Sequence, residues 1–140
     1  MLQRIGVSLE DTLLKQFDED ITARGYTNRS EALRDLIREQ LVARQWSSSV
    51  DSSAEQIAVV TLVYEHDSMD LSRRLTAIQH RDPHAVVSAL HVHMDHHNCL
   101  EVLILRGIAR KILSMAEQLV AVRGVKFGKM VPATTGKDLT

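Results

Sequence analysis

Polar and apolar positions alternate between Gln3 and Leu9. Ile5, Val7 and Leu9 point one way and Arg4, Gly6 and Ser8 the other. A period of two predicts a short, half-buried strand. The period then lengthens. Leu13, Leu14, Phe17 and Ile21 recur at helical spacing, with Ser8 and Asp11 in a capping-box spacing before them and Gly25 as C-cap. Asn28 and Glu31 repeat the capping signature, and Leu33, Leu36, Ile37 and Leu41 form the stripe of a second helix. Residues 1–45 therefore read as strand, helix, turn, helix. Five serines in QWSSSVDSSAE, without apolar periodicity, mark residues 46–55 as a Ser-rich linker or a frayed helix end.

Residues 56–133 read as a second domain, with 134–140 as a tail. QIAVVTLVY, Gln56–Tyr64, is a β-branched strand. Leu71, Leu75 and Ile78 give Met69–His80 a helical stripe. Ala85–Met94 and Leu100–Leu105 are strands joined by a polar turn, Asp95–Asn98, and Gly107 ends the hairpin. Ile108–Arg123 is a helix capped by Gly124, and Val125–Val131 a last strand. The order βαββαβ predicts an α+β domain, a four-stranded antiparallel sheet with helices on one face. The other face needs a cover, for which a second subunit is the simplest candidate.

A segment of about 45 residues with one strand is too small for a solitary core. Pairing the strand with that of a second copy, as an antiparallel ribbon flanked by four helices, resolves this. Arg4, Gly6 and Ser8 then stand on the outer face of a ribbon that fits the DNA major groove. Charge adds little: residues 1–45 hold 7 Lys or Arg against 8 Asp or Glu, and the whole chain carries a formal net charge of −1. One cysteine excludes an intramolecular disulfide and fits a reducing compartment. No signal peptide or membrane-length apolar run is visible, so a cytoplasmic protein without a membrane partner is expected.

The chemistry concentrates in LHVHMDHHNCLEV, residues 90–102. Strand alternation places His91 and His93 on one face, and the hairpin returns Cys99 opposite Met94 or its neighbour. Each histidine alone reads as an ordinary polar residue on a half-buried strand. HxH with a cysteine returning across a hairpin reads as a metal site, and one more ligand would complete four-coordination. His80, at a helix end, is the first candidate. His84 and His66 are weaker ones, and His96 and His97 read as solvated turn residues. A thiolate with imidazoles suits Zn, Ni, Cu or Co rather than Mg or Ca.

Residues 2–44, with the RIGVSL strand and the GYTNRSE turn, resemble the ribbon–helix–helix family of DNA-binding proteins. The resemblance implies that Arg4, Gly6 and Ser8 face the bases and that Arg29 and Ser30 grip phosphate at a helix start. With His80, His91, His93 and Cys99 at the family spacing, nearly the whole chain resembles the NikR family of nickel-responsive transcriptional regulators. That likeness implies one square-planar Ni(II) per chain, held by three imidazoles and a thiolate. It also implies an ACT-type ferredoxin-like domain, a homotetramer built as a dimer of dimers, and His80 donated across a subunit interface. Glu101 matches a position that supports the ligands, and Tyr64 and His66 match in VYEH. The likeness further implies operator DNA as partner, repression of nickel uptake genes, and low-affinity cation sites near Glu31 and Asp35, although two acidic residues one turn apart also read as a solvated face. Two departures stand out. Gly6 offers no side chain to a base, and Ser68 and Met69 replace basic residues found there in some members.

The competing expectation is a small-molecule, amino-acid-responsive ribbon–helix–helix regulator with a structural zinc site, since ACT-like units also bind amino acids. An antitoxin-like protein fits less well, because residues 56–131 read as a packed domain. An enzyme is not expected: four protein ligands would close the site.

Overall fold

The structure, a computed structural model, describes residues 1–49, 53–137, 139 and 140. The chain divides into two compact units, Met1–Gln40 and Leu41–Thr140. Residues 50–52 of the Ser-rich stretch and Asp138 of the tail lie outside the described residues.

The first unit contains α1 (Asp11–Ala23) and the beginning of α2 (Arg29–Ser49). Residues 1–10 form no strand within the single chain, as expected of a strand whose hydrogen-bonding partner would be another copy. The predicted capping box does not form: Glu10 is the N-cap of α1, without a side-chain cap. Gly25, at φ 85°, follows the C-cap Arg24. The Gly25 N–H donates to Thr22 O and the Tyr26 N–H to Ile21 O, a Schellman closure that needs the left-handed backbone glycine allows. At α2, Asn28 Oδ1 accepts the Glu31 N–H at 2.9 Å, as the spacing predicts. Glu31 does not reciprocate; its carboxylate accepts from the Thr27 hydroxyl.

The helix does not end where the serines begin. α2 continues through Ser49, and Trp46, expected in the linker, is buried in the second unit. The serines tolerate helix because Ser47 and Ser48 return their hydroxyls to the carbonyls of Ala43 and Arg44, four residues back.

The second unit continues with β1 (Glu55–Glu65), α3 (Met69–His80), β2 (Val86–His93), β3 (Asn98–Ile108), α4 (Ala109–Val120) and β4 (Phe127–Pro132). The sheet is antiparallel in the order β2-β3-β1-β4, with the predicted βαββαβ sequence of elements. β3 extends beyond both predicted ends and takes in Gly107. Ala58, Val60 and Leu62 of β1, with Leu103 and Leu105 of β3, are buried on one face with Leu71, Leu75, Ile112 and Leu119 of the helices. The other face carries half-buried Val59, Val63, Leu100 and Val102, and exposed Leu90, Val92, Phe127 and Val131. Among the described residues nothing covers that apolar face fully. No described helix is long and apolar enough to cross a membrane.

Candidate metal centre

The β2–β3 hairpin is built on Asp95. Its carboxylate accepts the backbone N–H of His97 at 2.8 Å and of Asn98 at 2.7 Å, and the Asn98 side-chain amide. The Asn98 side chain, then the two backbone donors, hold the Asp95 carboxyl far below the ordinary carboxylate range. This turn sets the register. His93 is the cross-strand partner of Cys99, and His91 that of Glu101. On the other side of β3, Cys99 pairs with Tyr64. His91, His93, Cys99, Glu101 and Tyr64 therefore share one face of the sheet.

Cys99 is fully buried. Burial pushes its thiol above the ordinary range, a contact with Tyr64 works against this, and the Glu101 charge reinforces it. Glu101 is also buried. It accepts a short hydrogen bond from the Tyr64 hydroxyl and a longer one, 3.4 Å, from Gln79 Nε2 on α3. His91 Nε2 lies 3.3 Å from its carboxylate. Burial, and then the bond to Glu101, push the Tyr64 hydroxyl well above the ordinary phenol range, so it stays protonated. Glu101 is thus a buried anchor that ties His91 and Tyr64 and reaches the last turn of α3. Gln79 has no signal in the sequence; it is visible only as the residue before His80.

The four predicted ligands are not assembled in one chain. Among the described residues, no three His, Cys, Asp or Glu side chains are gathered to hold an ion. His91 is turned to Glu101. His93 stacks edge-on against His66, with ring centroids 4.7 Å apart. His80, exposed at the end of α3, lines a groove along that helix with His66, Ser72 and Thr76. The donor set nevertheless fits a soft-to-borderline metal: two imidazoles and a thiol share one face of two adjacent strands, and β2 is an edge strand exposed on both faces. His66 adds a buried Nδ1 with no hydrogen-bond partner among the described residues. His84 and His96 are exposed. His97 is not a free turn residue: its Nδ1 lies 2.7 Å from Asp67 Oδ2, which raises its pKa.

In the first unit Arg4, Gly6 and Ser8 are exposed in residues 1–10. A Cβ at Gly6 would meet nothing within 4 Å. Arg29 and Ser30 open α2, where Arg29 is held by Asp18 through two hydrogen bonds of 2.8 Å. Glu31 and Asp35 are each committed elsewhere: Glu31 to Thr27, and Asp35 to the Tyr26 hydroxyl at 2.7 Å and to Arg38 at 3.0 Å. Ser68 is the N-cap of α3, its hydroxyl accepting the Leu71 N–H, so this departure from the basic pattern serves the helix start.

Comparison with known proteins gives the same two-part division. Residues 3–44 match the ribbon–helix–helix protein, CopG family, and residues 57–133 match the NikR C-terminal nickel binding domain. A curated protein of Anaeromyxobacter dehalogenans that carries "nickel-responsive regulator" in its name is 62% identical over 99% of both chains. Similarly named proteins of Pelobacter propionicus and Desulfovibrio desulfuricans are 52% and 51% identical, covering 97% and 99% of this chain and 96% and 97% of theirs. A solved structure of an uncharacterized protein from Thermotoga maritima, 18% identical, superposes with a TM-score of 0.51 over 58% of this chain and all of that one, a likeness of fold alone. With its ribbon–helix–helix segment and its nickel-binding-domain match in tandem, the chain belongs to the NikR family of nickel-responsive, DNA-binding transcriptional regulators, which are not enzymes.

Proposed function

We propose that this regulator binds one Ni(II) per chain through His91, His93 and Cys99, with His80 supplied by a neighbouring subunit of a homotetramer, and that binding raises its affinity for operator DNA and represses nickel uptake genes. The observation that carries this reading is the pairing of His93 with Cys99 on an open edge hairpin, while His80 of the same chain stands apart. A fourth ligand from outside the chain would close such a site.

Bound at this donor set, Ni(II) would supply four strong bonds that tie two subunits together. The rest falls to the chain's own groups. Cys99 must lose its proton, so nickel affinity falls in acid. Glu101 holds His91 through one ring nitrogen, which leaves the other to face a ligand. Its link to Gln79 brings the end of α3 into the same hydrogen-bond network. The end of α3 around His80, exposed in the single chain, is the two-state element. For nickel to favour DNA binding, the ordered state must bind the operator more tightly than the other. On the DNA side, Arg4 and Ser8 of a paired ribbon would read bases, and Arg29 and Ser30 would meet phosphate at the start of α2.

The test is a titration of metal-free protein with Ni(II), followed in the near-ultraviolet and visible, with Cys99→Ala beside it. A thiolate-to-metal band that saturates at one metal per chain, and is absent from the variant, is expected. Tight binding of Zn(II) with no nickel band would turn the site into a structural zinc site and bring the amino-acid-responsive reading forward.

A further inference from the structure

Lys126 stands just before β4, yet its side chain ends on β3. Its backbone N–H donates to Val63 O of β1 at 2.8 Å. Its side chain then crosses the end of β1, with Nζ 3.4 Å from a Glu65 carboxylate oxygen, and donates to Asn98 Oδ1 at 2.7 Å. Glu65 and Asn98 are cross-strand partners. Asn98 opens β3, immediately before Cys99.

Asn98 uses both ends of its amide. Oδ1 accepts from the Lys126 ammonium, and Nδ2 donates to Asp95 Oδ2 at 3.0 Å. Its backbone serves the same turn: the N–H donates to Asp95 Oδ1 at 2.7 Å, and the carbonyl accepts the Met94 N–H at 3.0 Å. Ammonium, amide and carboxylate thus form one chain of hydrogen bonds, with a cation at one end and an anion at the other, in which each bond polarises the next. It starts beside β4, crosses β1 and ends in the turn between β2 and β3. The ion pair with Glu65 is the lesser contact. Both side chains are about half exposed and the separation is long, and such pairs contribute little.

We infer that Lys126 is a positioning residue for the metal site: through Asn98 it holds the β2–β3 turn, and with it His93 and Cys99 on either side of that turn. The inference rests on the nickel site proposed above. Charge alone predicts the opposite sign. A lysine beside a site for a dication repels it, so its removal would tighten nickel binding. Positioning predicts weaker binding, and the direction of the change separates the two.

Full-length Lys126→Met keeps an unbranched side chain and removes both the charge and the donor. Ni(II) affinity is measured by calorimetric titration, beside the thiolate-to-metal band, for wild type, Lys126→Met, Lys126→Arg, Asn98→Ala and the Lys126→Met, Asn98→Ala pair. Lys126→Met is expected to keep one nickel per chain and to bind it about fivefold more weakly, the scale of one hydrogen bond. Lys126→Arg, which keeps a cationic donor, should stay near the wild-type affinity. With Asn98→Ala already in place, Lys126→Met should cost nothing more, because the two residues act as one unit. Unchanged or tighter nickel binding in Lys126→Met overturns the inference alone. A full further loss in the Asn98→Ala background overturns it too, because Lys126 then acts by another route. A loss in Lys126→Arg as large as in Lys126→Met assigns the effect to packing and not to the donor, and likewise overturns it. A wild-type protein with no thiolate-to-nickel band overturns the nickel reading and this inference together.

Discussion

In the sheet domain Leu62, Leu103, Leu105, Ile112 and Leu119 are fully buried by residues of the same chain. In Met1–Gln40 only Ile21 and Ala32 are buried among the described residues, while Leu13, Leu33, Leu36 and Ile37 stand exposed. The second unit closes its own core, while His80, His91, His93 and Cys99, the proposed ligands, are not gathered in one chain. The first carries Arg4, Gly6 and Ser8, the proposed DNA-facing residues, but almost no core of its own among the described residues. Each half is therefore incomplete: the first has almost no core of its own among the described residues, and the second leaves one apolar sheet face and the proposed metal site open. Both deficits are ones that the proposed homotetramer would make good.

The largest effect that tests this contrast is on stability. Leu103→Ala removes a fully buried side chain and should cost about 2–5 kcal/mol. Because the core is internal to one chain, that loss should not depend on protein concentration. Leu36→Ala, on the exposed stripe of α2, should leave the sheet domain's melting unchanged and weaken association of the first unit, so its effect should diminish as concentration rises. Melting curves at several protein concentrations separate the two. Concentration-dependent damage in Leu103→Ala, or concentration-independent damage in Leu36→Ala, would break the comparison.

Glu101→Gln comes next and acts on one half only. The amide keeps the volume and removes the charge that faces His91 and Tyr64. Nickel affinity should drop by about 10- to 100-fold, as for other groups that orient metal ligands. Metal-free operator affinity should not change. Calorimetric titration with Ni(II) reads the first and a gel-shift series without metal the second. A Gln variant with wild-type nickel affinity would remove Glu101 from the site.

Much of this contrast is legible in the sequence, for local reasons. Periods of two and of 3.6 locate the strands and helices of the sheet domain, because each element buries one face on a single core. HxH followed by a cysteine six residues later is legible because strand alternation and a short hairpin bring those residues together without long-range information. What fails is what depends on partners remote in sequence. The path from Glu101 to Gln79 requires α3 to lie over β3. The serines after Trp46 read as a linker because their composition outweighs the i, i+4 pair of Val42 and Trp46. That pair was the available signal. Residues 3–9 alternate as a strand would, but they form no strand within one chain.

The smallest effect concerns how the DNA-binding half orients its arginine. Asp18 takes Arg29 Nε and Nη2, so only the remaining guanidinium donors are free to meet a phosphate. The hydrogen bond to Arg29 is the largest cause that holds the Asp18 carboxyl below its ordinary value of 3.8. A depressed folded-state pKa stabilises the fold above that ordinary value, and the contribution is lost as pH falls through the folded-state value. Asp18→Asn should therefore lower the melting temperature slightly at neutral pH, with the gap from wild type narrowing as the pH is taken below the ordinary carboxylate range. Both groups are solvent-exposed, so added salt should shrink the gap as well. A gap that stayed constant from about pH 7 down to about pH 3 would mean that the pair contributes through side-chain packing and not through charge. Arg29 would then need another partner to hold it at the start of α2.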